Sequence, residues 1–281
     1  MKDLSNENVI HVKKNGVEYL QFRKLLEYSD IIKHAYAIGL EPNFRTARAK
    51  TATPLTKEEY EKAVNDYKKL ATSVGIDYIN IVKPNQAHTK NIKIVEKKVN
   101  SNEPDFNLKE YEQIDGLVTV KKNIALATTN ADCILLLFFD PTKRVIANVH
   151  SGWRGTLQRI SVETINKMKN QYGCNPEDII CCICPSIRKC HFKVHKDVQE
   201  PFYNEFKELK EINGIIVPVE NENRWSIDTV RINQIILEQV GLKKENIIDC
   251  GICSVCNSDL IHSYRVEKEA YGLETALIEL K

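Results

Sequence analysis

The chain has 281 residues, of which 42% are hydrophobic and 28% are charged. Both fractions are ordinary for a globular protein, and a chain of this length can bury a core without disulfide bonds. Its 40 basic and 38 acidic residues give a formal net charge of +2, which argues against nucleic acid as a partner.

Two features predict where the protein works. The N-terminal segment MKDLSNENVIHVKKNG contains no apolar run typical of a signal peptide, and the longest apolar stretch, Cys133 to Phe139, is too short to span a bilayer. Nine cysteines without a secretion signal indicate a reducing compartment. We therefore expect a cytoplasmic protein without a membrane partner, whose cysteines are thiols, metal ligands or nucleophiles.

The first half of the chain predicts a hairpin, a helix and several strands. The Asn-Gly pair at 15–16 separates the alternating runs VIHVKK and VEYLQFRKL, a pattern typical of a hairpin. The stretch 41–54 has no periodicity and is predicted to be a loop. Thr56 and Glu59 form a capping-box pattern at the start of a helix that Gly75 ends. We predict strands for DYINIVKP, GLVTV, NIALATT, CILLLFF and RVIANVH.

The second half predicts helices over 156–172, 196–209 and 227–240, with strands at DIICCICP and NIIDCGI. Strands mixed with helices and a hairpin favour an α/β (α+β) fold of layered, mixed β-sheets with helices. Because there is no internal repeat or long linker, we expect one domain over residues 1–281.

Three polar motifs follow or precede predicted strands, where a rigid strand can present a side chain at its end. The motif NQAH ends at His88, the motif ADC ends at Cys133, and the motif HSGWRG begins at His150. The two glycines of HSGWRG allow a tight turn or a close approach to a ligand. The helix predicted after them favours an anion at its start.

His88, Cys133 and His150 are candidate zinc ligands, because catalytic zinc keeps three protein ligands and one position for water. Zinc would lower the pKa of that water to about 7. Copper is a weaker candidate, since blue copper needs an axial methionine and Met168 lies in a predicted helix. The three ligands are far apart in sequence, so a polar loop histidine and a buried Cys133 remain alternative interpretations.

The other cysteines do not form a recognisable metal motif. Cys250, Cys253 and Cys256 have the spacing that begins some iron–sulfur motifs, but Leu260 replaces the fourth cysteine and Cys250 lies in an apolar strand. A second group lies mostly in one strand, where neighbouring side chains point to opposite faces, so its members cannot converge on one metal: Cys174, Cys181, Cys182 and Cys184.

The motifs together resemble the multicopper polyphenol oxidase (laccase-like) family, also described as the purine nucleoside phosphorylase or peptidoglycan-editing-factor family. The resemblance covers the chain from about Gln86 to its end. Its most specific element is HSGWRG with ADC upstream, supported by QAH, DGLVT, CPSI, CHFKV, Asp228 with Asn233, Cys253-Ser254 and Ser263-Tyr264-Arg265. It implies a layered α/β fold that has been likened to cysteine hydrolases, with zinc on His88, Cys133 and His150.

The resemblance implies a zinc-dependent purine nucleoside phosphorylase that takes adenosine, inosine or methylthioadenosine with phosphate, and an adenosine deaminase activity beside it. Arg154 is then the candidate for holding phosphate through its planar guanidinium group. Asp132 is a candidate general acid or base, or a group that orients His150. We expect four further residues to bind substrate: Gln86, Trp153, Cys190 and Arg265.

The chain departs from the family pattern in two places. The Thr-Arg-x-Gly-Gly run expected soon after His34 is absent, and Arg45 or Arg48 is the candidate substitute. Near the end, Tyr271-Gly272-Leu273 stands where the family has Thr-Gly-Arg. Phosphorolysis therefore depends on whether another arginine takes the place of the missing ones.

Four alternatives remain open from the sequence. A metal-independent cysteine hydrolase or deamidase would use Cys133 as thiolate and His150 as base. The family names also imply a copper polyphenol oxidase or an enzyme that edits peptidoglycan precursors. A protein that binds metal without catalysing a reaction is the fourth.

Overall fold

The computed structural model describes residues 2–46, 55–98, 104, 106 and 108–281, so Arg48 and most of the predicted loop at 41–54 lie outside the described residues. The strands within these ranges are β1 (Val9–Lys14), β2 (Val17–Phe22), β3 (Ile32–Ile38), β4 (Ile81–Val82), β5 (Ile92–Ile94), β6 (Gly116–Thr119), β7 (Ala125–Asn130), β8 (Ile134–Asp140), β9 (Val145–Ser151), β10 (Ile180–Ile183), β11 (Lys193–Val194), β12 (Ile216–Pro218), β13 (Trp225–Ile227), β14 (Ile247–Asp249) and β15 (Glu274–Leu280). The helices are α1 (Arg23–Leu26), α2 (Lys57–Val74), α3 (Trp153–Leu157), α4 (Ile160–Tyr172), α5 (Lys196–Phe206), α6 (Ile212–Ile215), α7 (Thr229–Gln239) and α8 (Tyr264–Glu267).

Two six-stranded sheets form the centre of the molecule. The first has the order β1-β2-β3-β15-β7-β4 and the second the order β14-β10-β8-β9-β6-β5. Both are mixed: β4 runs parallel to β7 and β5 parallel to β6, whereas β8 and β9 are antiparallel. A three-stranded sheet, β11-β13-β12, lies beside them. The predicted layered arrangement of mixed sheets with helices is confirmed.

The run CILLLFF shows why the second sheet is apolar on both faces. Leu135, Leu137 and Phe139 of β8 belong to the core between the two sheets, whereas Leu136 and Phe138 pack in the core beneath α4 and α7. Successive side chains of a strand point to opposite faces, so a strand covered on both sides needs apolar residues throughout. Helix α2 covers the outer face of the first sheet in the same way.

Most predicted elements are confirmed, but many differ in their extent. For example, the helix predicted over 196–209 ends at Phe206, and NIIDCGI pairs only over Ile247–Asp249. The capping box of α2 forms between Thr56 and Glu59, and the hairpin β1–β2 pairs as expected. In DYINIVKP only Ile81 and Val82 pair as a strand, because a 3₁₀ turn occupies 78–80. The helix predicted over 156–172 is interrupted by Arg159, whose φ of 57° is left-handed. Asp228 caps α7, so that helix begins at Thr229 and not at Ile227.

No helix in the described part of the chain combines the length and the apolarity that a membrane crossing requires.

Candidate metal centre

Adjacent strands of the second sheet bring the three candidate ligands together. In the antiparallel pair β8–β9, Ile134 lies opposite Ser151, so Cys133 and His150 meet at the same end of the sheet. Strand β6 pairs with β9 on the other side, and Asp115, just before β6, accepts a hydrogen bond from the backbone N–H of His150 at 2.7 Å. Asp115 also holds the loop that carries His88, so pairing in the sheet determines the site.

The ligand atoms of His88, Cys133 and His150 all lie within 4.8 Å of one another. The His88 Nε2 atom is 3.8 Å from the Cys133 Sγ atom. The two imidazole rings stand nearly perpendicular, at 82°, with their centroids 4.9 Å apart. His150 is buried, Cys133 is half-buried and His88 is exposed, so the cluster opens to solvent on the side of His88. These three side chains therefore form a candidate metal-binding cluster.

Asp115 orients both histidine segments, although the sequence analysis assigned no role to this residue. Its Oδ1 atom is 2.8 Å from His150 Nδ1, which leaves Nε2 of that ring for a ligand. Its carboxylate also accepts hydrogen bonds from the backbone N–H groups of Ala87, His88 and Thr89 and from the Thr89 hydroxyl. A carboxylate behind a histidine is the usual support of a metal ligand, because it fixes the ring and its tautomer.

The expectation that Asp132 orients His150 is therefore wrong, since Asp115 occupies that position. Asp132 instead accepts hydrogen bonds from the hydroxyls of Ser254 and Ser263, at 2.6 and 2.7 Å, and from the backbone N–H of Arg265 at 2.7 Å. Its carboxylate faces three donors from the C-terminal part of the chain. It holds that part of the chain beside Cys133, while its predicted acid–base role stays a prediction.

Charge interactions within the cluster change the pKa values of two ligands. Burial alone would raise the pKa of the Cys133 thiol, but the positive charge of His150 and hydrogen bonds from both histidines lower it to about 6. Burial opposes the charging of His150, yet the Cys133 thiolate and Asp115 raise its pKa to about 10. Each charge therefore stabilises the other, which favours the thiolate–imidazolium form of the pair in the absence of metal.

The backbone at the cluster requires a glycine and two unusual conformations. A Cβ atom on Gly152 would lie 2.7 Å from His88 Cδ2 and 3.3 Å from Cys133 Sγ, so only glycine fits there without displacing a ligand. His88 itself and Asp132, the residue before Cys133, have left-handed backbones with φ of 60° and 80°. Such conformations are costly for residues with side chains and persist only where their surroundings enforce them.

A cavity of about 1170 Å³ adjoins the cluster. All three candidate ligands line it, together with Gln86, Asp132, Trp153, Arg154 and Arg265 from the predicted site. The Gln86 amide is already paired with β7: it donates to the Thr129 carbonyl oxygen and accepts from the Thr129 N–H, each at 2.7 Å. This pairing makes Gln86 a bridge between the His88 loop and the first sheet as well as a residue of the cavity wall.

Two predicted arginines are held by different contacts. The guanidinium carbon of Arg154 lies 4.2 Å from the centroid of the Trp153 ring, and its side chain is exposed. Stacking on the ring face leaves the N–H groups at the guanidinium edge pointing away from the ring. Arg265 donates from Nη1 to the Lys193 carbonyl oxygen at 3.0 Å. Both remain candidates for binding an anion in the cavity.

Cys190 does not belong to this site. It is absent from the described residues that line the cavity, and its Sγ atom lies 3.7 Å from that of Cys253 instead. The structure thus places Cys190 outside the cavity, whereas Phe192 and Val194, farther along the same segment, line it. A role of Cys190 in substrate binding stays a prediction.

Arg45 is one of the two arginines named as candidate substitutes for the missing Thr-Arg-x-Gly-Gly arginine. It lines the cavity, its guanidinium carbon lies 4.0 Å from the Tyr271 ring centroid, and Nη2 donates to the Tyr271 carbonyl oxygen at 2.5 Å. Tyr271 and Leu273 also line the cavity, so in this chain the position that corresponds to the family's Thr-Gly-Arg element faces it. Arg45 thus brings a guanidinium to the wall that lacks the expected arginine.

Lys83 is a functional candidate that the sequence analysis missed. It is 5% exposed and lines the cavity, and the one hydrogen bond its ammonium group makes to the described residues is a long one to the Pro84 carbonyl oxygen, 3.4 Å. Burial lowers its pKa to about 8. The available signal was a lysine inside the buried run DYINIVKP. A buried cation without a carboxylate partner is costly unless an anion binds beside it.

Comparison with known proteins identifies related sequences. A family described as "Multi-copper polyphenol oxidoreductase laccase" matches residues 52–281. The human protein "Purine nucleoside phosphorylase LACC1" is 28% identical over 218 residues, which are 76% of this chain and 46% of that protein. "Purine nucleoside phosphorylase YlmD" of Bacillus subtilis is 30% identical over 167 residues, 59% of each chain. The chain thus spans about half the length of these relatives.

A third relative has a different name, "Adenosine deaminase RL5", from an unknown prokaryotic organism. It is 29% identical over 196 residues, 70% of this chain and 73% of that protein. Among solved structures, a hypothetical protein YfiH of Bacillus licheniformis superposes with a TM-score of 0.78 at 22% identity, over 94% of this chain and 96% of the other. YlmD of Geobacillus stearothermophilus has a TM-score of 0.77 at 20% identity, with both chains covered completely. These likenesses show the fold.

Proposed function

The chain belongs to the multi-copper polyphenol oxidoreductase laccase family, and we propose that it is a zinc-dependent purine nucleoside phosphorylase acting on adenosine, inosine and methylthioadenosine. The observation that carries the proposal is the His88–Cys133–His150 cluster at the wall of a cavity lined by basic side chains. Relatives named purine nucleoside phosphorylase support purine nucleosides as the substrate class.

The geometry of the cluster fits zinc. Zinc lies about 2.3 Å from sulfur and about 2.0 Å from nitrogen in a tetrahedron, which requires an S–N separation of about 3.6 Å. The observed separation of 3.8 Å between His88 Nε2 and Cys133 Sγ is close to it. Asp115 behind His150 supplies the expected carboxylate support. Three protein ligands leave one position open, as in catalytic zinc sites, and zinc there would act as a Lewis acid.

Copper fits less well. A blue-copper site needs a weak axial ligand such as methionine beside its two histidines and cysteine. Met168 is fully buried in the core between α4 and the second sheet, and it does not line the cavity.

The cavity suits a nucleoside with phosphate. Four basic side chains line it, Arg45, Lys83, Arg154 and Arg265, against two acidic ones, Glu112 and Asp132. A surplus of guanidinium and ammonium groups favours a phosphate dianion. Trp153, Phe192, Tyr264 and Tyr271 also line the cavity and offer aromatic surface to a purine. Its volume exceeds that of most small-molecule pockets, which leaves room for both reactants.

In the proposed reaction, a phosphate oxygen forms a bond to the anomeric carbon of the ribose while the bond from that carbon to the purine nitrogen breaks. The electron pair leaves with the purine, which takes up a proton. Arg154, Arg45 and Lys83 bind and orient the phosphate, and the half-enclosed cavity limits access of competing water. Asp132 positions Arg265 through its backbone N–H and keeps the C-terminal segment against the cavity.

The test is a product assay on metal-characterised protein. Adenosine, inosine and methylthioadenosine are incubated with and without phosphate, and products are separated by chromatography. We expect free purine base and ribose 1-phosphate (or its methylthio analogue) only with phosphate. In His88→Ala we expect loss of the activity and of the zinc ion bound by this cluster. His195→Ala, which removes an exposed imidazole that does not line the cavity, is the matched control. Zinc binding without base release from any of the three would refute the proposal.

Deamination is the second candidate, favoured by the relative named adenosine deaminase. Water would then attack the purine carbon that bears the amino group. Inosine and ammonia formed from adenosine without phosphate would identify this activity in the same assay. Hydrolysis that survives complete metal removal would instead favour a cysteine hydrolase, for which the Cys133–His150 pair has the needed charges.

A further inference from the structure

A second cluster of thiols and an imidazole lies outside the cavity. Cys190 and His191 come from the segment before β11, and Cys253 and Cys256 come from the loop after β14. Their ligand atoms all lie within 4.8 Å of one another. No residue is shared with the His88–Cys133–His150 cluster.

The distances within this cluster resemble those of a tetrahedral zinc site. Zinc bound to three sulfurs and one nitrogen requires S–S separations of about 3.8 Å and S–N separations of about 3.6 Å. The Cys190 Sγ atom is 3.7 Å from that of Cys253 and 3.9 Å from that of Cys256. The His191 Nδ1 atom is 3.2, 3.7 and 3.5 Å from the sulfurs of Cys190, Cys253 and Cys256. Four of these five separations are within about 0.2 Å of the ideal values.

We propose that Cys190, His191, Cys253 and Cys256 bind a second zinc ion in a closed, structural site. Four protein ligands leave no open position for substrate, which distinguishes the site from a catalytic one. The Cys253-x2-Cys256 spacing is common in such sites. Cys190 and Cys256 are exposed while Cys253 is 7% exposed, so an ion can enter from solvent and be anchored against the protein.

Two other uses of these cysteines fit the structure less well. A disulfide bond needs a sulfur–sulfur distance of about 2.05 Å, well below the separations of Cys190 from Cys253 and Cys256. An iron–sulfur cluster normally needs a fourth thiolate. Cys250 does not provide it, because its buried Sγ atom lies 3.5 Å from the Arg188 guanidinium.

The proposed ion would join the segment that leads to Phe192 in the cavity wall to the loop after β14, which contacts the cavity residue Asp132. Ser186 and Cys253 form a β-bridge, and the Ser254 N–H donates to the Ser186 carbonyl oxygen at 3.0 Å. Phe192, close after His191, lines the cavity. Ser254, next to Cys253, donates to Asp132, next to Cys133. The second ion would therefore stabilise the cavity wall without contacting substrate.

The experiment counts zinc in the 281-residue chain after saturation with zinc and removal of excess under reducing conditions. Mass spectrometry of the metal content should give two zinc ions per chain. The double variant Cys190→Ser/Cys256→Ser should retain one, Cys133→Ser should also retain one, and the triple variant should retain none. His195→Ala should retain two. Because each site is removed separately, failure of this proposal is distinguishable from failure of the proposed function.

X-ray absorption of the Cys133→Ser protein should then show three sulfurs and one nitrogen around the remaining zinc. The double serine variant should unfold at a lower temperature than the wild type, because it lacks the stabilising ion. Both altered residues are exposed, so the substitutions should remove little besides metal binding. Either a single zinc ion in the wild type that the double variant keeps, or a disulfide bond among these cysteines in protein purified under reducing conditions, would overturn the proposal.

Discussion

His150 and Asp115 are joined at 2.8 Å between Nδ1 and Oδ1, with the histidine 3% exposed and the aspartate fully buried. Because the same carboxylate accepts three backbone N–H groups around His88, it couples the positions of two metal ligands. The geometry of the cluster therefore depends on a residue that cannot reach the metal position itself.

Replacing Asp115 with asparagine should weaken zinc binding and activity by 10- to 100-fold, the usual cost of losing such a support. The amide N–H₂ would face backbone donors, so the His88 loop should shift. Competition with a chromophoric zinc chelator measures the affinity. Asp197→Asn, an exposed change on α5, is the control and should leave it unchanged. Equal affinities in both variants would contradict the coupling.

Replacing Gly152 with alanine should remove zinc while leaving the fold intact. The added methyl group would lie 2.7 Å from His88 Cδ2 and must displace that ring or the strand end. Circular dichroism should be unchanged, and metal analysis should show loss of one zinc ion. Gly214→Ala provides the comparison, because a Cβ atom there has no neighbour within 4 Å. It lies in α6, where alanine is favoured over glycine by up to about 1 kcal/mol.

Replacing Arg45 with alanine should raise the KM for phosphate by about 10- to 100-fold, the loss of one or two charge-assisted hydrogen bonds. The kcat at saturating phosphate should change much less. Arg45→Lys should recover only part of the affinity, because an ammonium lacks the planar fork. The exposed Arg144→Ala controls for net charge. An unchanged phosphate KM in Arg45→Ala would remove Arg45 from the phosphate site.

Replacing Lys83 with methionine should stabilise the protein at pH 7 while reducing phosphate-dependent activity. Burial lowers the Lys83 pKa from 10.5 to about 8, so between these pH values the unfolded chain binds the proton and the folded one does not. The free energy of unfolding therefore rises with pH across that window, by about 3 kcal/mol. Below pH 8 the cost of burying the charged Lys83 is fully present.

Urea unfolding of both proteins from pH 7 to pH 10.5 measures this effect. The advantage of Lys83→Met should be largest near pH 7 and shrink as the pH rises. If the difference in unfolding free energy between Lys83→Met and the wild type does not vary with pH, Lys83 is not a buried charged group in the folded protein. Phosphate should also stabilise the wild type more than the variant, if it binds beside Lys83.

The sequence was informative wherever a local pattern has one structural outcome. The capping box at Thr56, the Asn-Gly hairpin and the strands around CILLLFF depend on neighbours in the chain, and they form as predicted. The break at Arg159 was missed because it depends on a left-handed residue that is not glycine.

The same distinction between local patterns and long-range contacts applies to the candidate site. His88, Cys133 and His150 could be named from three motifs and a family resemblance, and the structure brings them together. The carboxylate that supports these ligands could not be named from the sequence, because Asp115 reaches His150 only through the β6–β9 pairing. Asp132, adjacent to Cys133 in sequence, accepts hydrogen bonds from Ser254, Ser263 and the Arg265 N–H and supports neither histidine. Likewise Cys190 meets Cys253 across more than 60 residues, which no spacing rule reveals.

The left-handed backbones of His88 and Asp132 have a consequence for how the protein acquires metal. Both conformations are enforced by hydrogen bonds of the folded chain, so the ligands are ordered before an ion arrives. A zinc finger, by contrast, spends binding energy on folding. Here most of the intrinsic affinity of the ligands should appear as observed affinity, and the metal-free protein should remain a folded acceptor that can be loaded and unloaded repeatedly.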